Sequence, residues 1–244
     1  MAMATEKSTP AHSAAINKVW YLKHINIFAG FDEAEIRLFE PYLVHRHFEP
    51  KEMIFLPGDQ GDKVYFLKEG LVKLARISQG GKEVTLAILE RGEIFGEHAF
   101  LDQMVRETYA QAMTKVLVCI ARQRDFQKFV ERKPALGIRV SQTINDRARD
   151  LEHQLEDLVF RDVPGRLASL ILRLADKHGT DKHPEGELID IRLTHQEIAS
   201  LIGSTRESAS INVSRLRDGG LIAIDKHRFV ITNRGGLEAM LDEF

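Results

Sequence analysis

One stretch of the chain carries side chains of a type and spacing that suit contact with nucleic acid. It reads Leu193-Thr194-His195-Gln196-Glu197-Ile198-Ala199-Ser200-Leu201-Ile202-Gly203-Ser204-Thr205-Arg206-Glu207-Ser208-Ala209-Ser210-Ile211-Asn212-Val213-Ser214-Arg215-Leu216. Thr194-x-x-Glu197 and Ser204-x-x-Glu207 are two capping boxes, in which a hydroxyl and a carboxylate satisfy backbone N–H groups at a helix start. Gly203 can supply the positive φ that ends the first helix. The expectation is helix, tight turn, helix. At 3.6 residues per turn Ala209, Val213 and Leu216 share one side of the second helix. Glu207, Ser210, Ile211 and Ser214 face the other way, with Arg206 at the margin. Small polar side chains allow close approach, and the surface suits a groove about 12 Å wide, the major groove of duplex DNA.

Gly219-Gly220 closes this helix, and two apolar runs, 221–224 and 229–231, flank Asp225-Lys226-His227-Arg228. A β-hairpin wing with a basic tip is expected, on which Lys226 and Arg228 can bind phosphate or simply keep the turn soluble. The charge balance requires any such surface to be local, because the whole chain has a net charge of −2. Between Arg192 and Arg234 seven basic side chains stand against four acidic ones, a local +3. That is enough for a few phosphate contacts, whose binding falls steeply with salt.

Other chemistry lacks its residues. There is no Gly-x-Ser-x-Gly, His-Glu-x-x-His, phosphate loop or pair of cysteines, so an enzyme is not expected. The lone Cys119 lies in the apolar run Lys-Val-Leu-Val-Cys-Ile-Ala and reads as a buried structural thiol, far short of the four thiolates of an iron–sulfur cluster. His98 stands beside Glu97 but has no partner ligand, so haem is not expected either, nor any metal. No run approaches the ~18 apolar residues of a membrane span, and the start lacks a signal-peptide core. A cytoplasmic protein without membrane contact is expected.

The elements that must position the helix pair come earlier in the chain. Its 244 residues suggest two domains. Residues 1–14 are Ala-, Ser-, Thr- and Lys-rich without periodicity and are expected to be disordered. Helical patterns follow at 15–24 and 32–43, the second opening with Asp32-x-x-Glu35. From 44 to 121 the chain alternates short β-rich runs with turns such as Pro57-Gly58-Asp59 and Gln79-Gly80-Gly81, the pattern of a small sandwich or barrel. Runs 64–67 and 71–74 around Glu69-Gly70 read as a hairpin.

Leu136, Val140, Ile144, Ala148, Leu151, Leu155 and Leu158 then recur at steps of three and four, a narrow stripe on one long helix. The stripe fits a partner helix, giving a homodimer, or the surface of its own domain. After Phe160-Arg161-Asp162-Val163, Pro164 starts a new helix. Residues 179–186 read as a polar loop and 188–193 as a strand.

These segments together resemble the CRP/FNR family of bacterial transcription regulators. The stretch 193–216 with its wing resembles the family's winged helix-turn-helix, and Phe160-Arg161-Asp162-Val163-Pro164-Gly165-Arg166 its hinge. Gly58-Asp59, Val64-Tyr65-Phe66-Leu67-Lys68-Glu69-Gly70, Gly92 and Phe95-Gly96-Glu97 resemble its cyclic-nucleotide-binding β-roll. The implied fold class is α+β. A jelly-roll-like antiparallel β-roll sensor domain would occupy 15–133, a dimerisation helix 134–160 and a winged helix-turn-helix domain 161–244.

The resemblance places Arg206 and Glu207 on base-reading positions, with Thr205, Ser210, Ile211 and Ser214 on the same surface. Arginine can bond guanine bidentately, and glutamate can accept from cytosine N4. The third usual reading position is often arginine and is Ile211 here, which can pack on a thymine methyl or merely lose a contact. The resemblance also implies RNA polymerase as a partner, through Lys182, His183 and Glu185, though that segment reads equally as an ordinary connection.

In the family's cAMP-binding members a Gly-Glu pair and a later Arg-Ser or Arg-Thr pair hold the nucleotide. Here Gly96, Glu97 and Arg106 are followed by Glu107, and the adenine-contacting Thr-Ser of the long helix is replaced by Leu151-Glu152. A carboxylate ~4 Å from a phosphate oxygen repels it by about 4 kcal/mol at an effective dielectric of 20. Glu107 can instead pair with Arg106 and fill the pocket itself. cAMP is therefore not the expected effector; an unknown small ligand or a constitutively active dimer remains, the latter favoured. The rival reading is a ligand-binding regulatory module of cyclic-nucleotide type that works through protein–protein contacts.

Overall fold

A computed structural model describes residues 25–97 and 105–241. The chain divides into two units, Met1–Ala75 with Ala87–Asn145, and Arg76–Leu86 with Asp146–Phe244. The helix expected at 15–24 and His98 lie outside the described residues.

Residues 43–122 carry two four-stranded antiparallel sheets. One has the order β1 (Leu43–Phe48), β8 (Val116–Arg122), β3 (Lys63–Glu69), β6 (Ile94–Phe95). The other has the order β2 (Met53–Phe55), β7 (Tyr109–Ala112), β4 (Val72–Ile77), β5 (Glu83–Leu89). Phe48, Phe55, Tyr65, Leu67, Phe95 and Val118 fill the space between the sheets. On the other face of the first sheet, Val64, Phe66, Cys119 and Ala121 pack with Phe28, Phe39, Phe126 and Phe129. Phe39 belongs to α1 (Glu33–Phe39), opened by Asp32 and Glu35 in the expected capping box. Phe126 and Phe129 belong to α2 (Gln123–Arg132).

The expected hairpin across Glu69-Gly70 does not form, because β3 and β4 lie in different sheets. All of Val64 to Lys68 is buried, so β3 needs cover on both faces. A hairpin with one wet face would not provide it; β3 instead pairs with β8 over its whole length, and the chain crosses to the second sheet at Gly70.

The long helix α3 (Pro134–Phe160) runs as expected, but its stripe is divided. Leu136 and Val140 are fully buried in the first unit's core and Ile144 packs against it, so these residues are not free for a partner. Ala148, Leu151, Leu155 and Leu158 are exposed. In the second unit α4 (Val163–His178) is N-capped by Asp162, whose carboxylate accepts from Gly165 N at 2.9 Å, with Pro164 in its first turn. The segment expected as a polar loop is a hairpin, β9 (Gly179–His183) and β10 (Gly186–Ile189). These join β11 (Ile222–Asp225) and β12 (Arg228–Ile231) in a sheet of order β11-β12-β10-β9, and β10 ends at Ile189 rather than near 193.

Candidate nucleic-acid interface

Two short helices present the interface. α5 (His195–Leu201) starts at Thr194, whose Oγ1 accepts from Glu197 N at 3.2 Å while Glu197 Oε2 accepts from Thr194 N at 2.7 Å. Its last turn is held from below by Arg166 of α4, which donates to the Ile202 carbonyl at 2.9 Å. Gly203 follows with φ +61, and a Cβ there would lie 2.7 Å from Leu158 Cδ2. Glycine takes this left-handed turn without strain, and a side chain there would also have to displace the tip of Leu158. α6 (Arg206–Asp218) is capped by Thr205, whose Oγ1 accepts from Ser208 N at 3.2 Å. The second cap thus falls one residue later than the expected Ser204-Glu207 box, because Gly203 and Ser204 are both used in the turn. Thr205 is occupied as a cap, and Glu207 is released from capping.

The faces of α6 follow the wheel. Ala209, Asn212, Val213 and Leu216 are buried; Asn212 Nδ2 donates to the Ser208 carbonyl. Arg206, Glu207 and Ile211 are exposed, and Ser210 and Ser214 are half-buried between them. Among the described residues Arg206 and Glu207 have no hydrogen bond or ion pair, so both side chains are unengaged. Their charges are available to an outside partner.

The wing pairs Ile222 with Ile231 through Asp225 with Arg228. Its two-residue turn places Lys226 at φ 50 and His227 at φ 66, the mirror-image turn that suits hairpin twist and favours Gly or Asn. Arg228 does not project freely as the sequence suggested. Its guanidinium donates to Asp225 at 2.6 Å and to Asp190 at 3.0 Å. These bonds raise the arginine above its usual range and hold the Asp225 carboxyl below its own. Arg217 pairs likewise with Asp218 at 2.9 Å, and Arg234 with Asp176, Glu187 and Glu238. Of the seven basic residues between 192 and 234, the structure uses Arg217, Arg228 and Arg234 internally. Arg192, Arg206, Arg215 and Lys226 are exposed.

The comparisons with known proteins agree with this geometry. A cyclic nucleotide-binding domain matches residues 45–133, and a Crp-like helix-turn-helix domain matches residues 165–240. The global nitrogen regulator of Synechococcus elongatus is 36% identical over 188 residues, 76% of this chain and 84% of its own. This chain belongs to the CRP/FNR family of transcription regulators. Another member, the cyclic AMP receptor protein of Thermus thermophilus, is 30% identical over 83% of this chain and 90% of its own. A solved structure of a CooA mutant from Carboxydothermus hydrogenoformans has a TM-score of 0.73 at 25% identity, covering 84% of this chain and 90% of that one. As a CRP/FNR member the chain is a DNA-binding transcription regulator with a cyclic nucleotide-binding domain.

In the family's effector region the structure brings Gly96, Glu97 and Arg106 together. Arg106 Nη2 donates to the Lys63 carbonyl at 2.6 Å, and the guanidinium lies 4.1 Å above the Phe55 ring and 5.6 Å from that of Tyr65. A Cβ on Gly96 would lie 3.0 Å from both terminal nitrogens of Arg106, so glycine lets the guanidinium pass. Burial pushes Arg106 below its usual range, against the charges of Glu97, Asp62 and Asp59. Burial likewise raises the Tyr65 phenol. Glu97 is 2% exposed. Glu107 is exposed and lies in the irregular segment before β7. Leu151 and Glu152 are exposed on α3. His183 and Glu185 sit at the β9–β10 turn, Glu185 N donating to His183 Nδ1 at 3.2 Å.

Two histidines that no motif singled out share one cavity. His195, at the first position of α5, and His227, on the wing, line one cavity of about 480 Å³ with Thr194, Arg206 and Phe229. Only the tertiary fold brings these histidines to one place, so no local spacing announced them.

Proposed function

We propose that the chain acts as a cytoplasmic homodimer on a palindromic promoter site, reads bases with Arg206, Glu207 and Ile211, and activates by touching RNA polymerase. The unengaged Arg206-Glu207 pair on the outward face of α6 carries this reading, since nothing among the described residues uses these charges. Thr205, Ser210 and Ser214 lie along the same face, and Lys226 of the wing meets backbone phosphate. Two-fold operators mirror two-fold proteins, and the exposed run Leu151, Leu155, Leu158, Val159 and Phe160 is an apolar strip of the kind that marks an interface. Lys182, His183 and Glu185, on a hairpin remote in sequence from α6, are the polymerase-facing segment. The protein is a regulator and performs no catalysis.

The effector is not cAMP in this reading, and no haem or iron–sulfur cluster serves as sensor. Arg106, the residue that would meet a cyclic phosphate, is held by the Lys63 carbonyl and the Phe55 ring. Glu107 follows it with a carboxylate where the cAMP-binding members have a hydroxyl. The test is selection of bound genomic fragments by the full chain with and without cyclic nucleotides. A shared palindromic motif recovered equally in both supports the reading. Recovery only with a cyclic nucleotide overturns its effector part, and no motif in either overturns the promoter assignment.

A further inference from the structure

The last turns of α3 carry two neighbouring stripes with different surroundings. Leu151, Leu155 and Leu158 form the exposed apolar strip. Asp150 and Asp157, with Arg161 just past the helix end, form a charged seam at steps of seven and four. Asp150 and Asp157 each stand about 100° round the helix from a leucine of the strip. The seam meets Asp150's and Asp157's partners on α4, Ser169, Arg173 and Lys177, which recur there at steps of four.

Lys177 Nζ donates to Asp150 Oδ2 at 2.6 Å. Arg173 Nη1 donates to Asp157 Oδ2 at 2.5 Å and to Ser169 Oγ at 2.7 Å, while Ser169 Oγ donates to the same Oδ2 at 2.7 Å. Arg161 Nε donates to the other oxygen, Oδ1, at 2.9 Å. Both carboxylate oxygens of the buried Asp157 are thus used.

Apolar side chains would hold two helices together and still let them slide or roll, because burial of apolar area has no direction. Charged hydrogen bonds have a set length and weaken steeply out of line. The seam therefore fixes the rotation of α4 about α3. α4 in turn holds the helix pair, since Arg166 donates to the Ile202 carbonyl at the end of α5, and the Gly203 turn before α6 sits against Leu158. The strip proposed for assembly and the helix proposed to read bases are joined through about three turns of one helix.

We infer that Asp157, Arg173 and Ser169 are positioning residues that set the half-site spacing the dimer accepts. One base pair more or less between half-sites shifts them by about 3.4 Å and turns one against the other by about 34°, a change that only a pliable junction could follow. The inference rests on the proposed reading of a homodimer on a palindromic site.

The test uses the full chain and duplexes carrying the selected inverted half-sites at their own spacing, at one base pair more and at one fewer, beside a duplex with a single half-site. The unmodified chain is expected to prefer its own spacing by roughly tenfold or more. Asp157→Leu combined with Arg173→Met removes both charges, so no buried carboxylate is left unpaired. Its thermal unfolding, its dimer in sedimentation and its single half-site affinity are expected to match the unmodified chain's, while the spacing preference shrinks to about threefold or less. Arg173→Lys keeps the charge but not the planar fork; its preference is expected to fall between, and it decides the matter if the double variant does not fold. A spacing preference kept in full overturns the inference. So does an equal loss at every spacing and at the single half-site, which would make the cluster merely structural. An unmodified chain that is a monomer, or that is indifferent to spacing, overturns the two-fold reading as well.

Discussion

Asp157, near the end of α3, accepts a hydrogen bond from Arg173 of α4 at 2.5 Å while only 7% exposed. The same carboxylate accepts from Ser169 Oγ at 2.7 Å and from Arg161 Nε at 2.9 Å, and Arg161 also donates to the Leu241 carbonyl at 2.5 Å. One buried anion thus joins the end of the long helix, the first helix of the DNA-binding unit and the chain's last described turn. Removing one partner of such a cluster leaves the others desolvated without compensation. Asp157→Ala is expected to destabilise the second unit by about 3 kcal/mol, read as a lowered midpoint in chemical denaturation. Asp157→Asn, which keeps an acceptor but not the charge, is expected to fall between the two. Equal stability of all three proteins would refute the role.

Features governed by local chemistry were legible in the sequence. The Asp32 and Thr194 capping boxes, the buried face of α6 and the buried Cys119 depend on neighbours within a turn or a strand, and the structure has them as the spacing predicts. Pairing between distant segments was not legible. Glu69-Gly70 has the composition of a hairpin turn, yet β3 pairs with β8 some fifty residues later, since burial of both its faces outweighs the local turn preference. Arg228 reads as a phosphate ligand until Asp190, 38 residues away, takes its guanidinium. The stripe on α3 has one periodicity throughout, and no spacing could reveal that its first two residues serve the chain's own core.

Arg206→Ala is expected to lower affinity for the selected site by about 1 to 3 kcal/mol per half-site and to leave thermal unfolding unchanged, because the side chain is exposed and unengaged. Ile211 is 54% exposed on the same face. Ile211→Arg is therefore expected to change which base pair is preferred at one position of each half-site without cost to the fold. Selection from random duplexes with the two variants measures both outcomes. A motif identical to the unmodified protein's in each case removes α6 as the reading helix.

The Asp225–Arg228 pair sets a direction for acid sensitivity. The folded-state carboxyl is held below its ordinary value of 3.8, chiefly by the hydrogen bond from Arg228. Its contribution to stability is therefore complete above that ordinary value and is lost as pH falls through the lowered one. Glu35, held below 4.5 by its bond to Lys133, acts in the same sense in the first unit. Denaturation followed from roughly pH 5 to roughly pH 2 should show stability declining with acid. In Arg228→Ala the decline should be shallower for the second unit. The wing of that variant should also be less protected from amide exchange at Asp225 and Arg228 even at neutral pH. An unchanged acid profile would mean the pair is too solvated to matter.

Leu136 and Leu155 occupy equivalent steps of one helical stripe but opposite environments: the first is 0% exposed in the core of its own unit, the second 61% exposed. Their substitutions should separate folding from assembly. Leu136→Ala removes packed methyl groups and is expected to cost about 2 to 5 kcal/mol of stability, with the oligomeric state of the remaining folded protein unaltered. Leu155→Glu touches nothing that the single chain buries, so the isolated chain should keep its fold. It places a charge on the apolar strip formed with Leu151 and Leu158, and two copies meeting there would each have to desolvate that charge. Sedimentation of the unmodified chain should give a dimer and that of Leu155→Glu a monomer. Affinity for a two-fold site should fall to that for a single half-site, since the two recognition helices no longer bind as one unit. A dimer that persists in Leu155→Glu would show that the exposed strip is not the assembly surface.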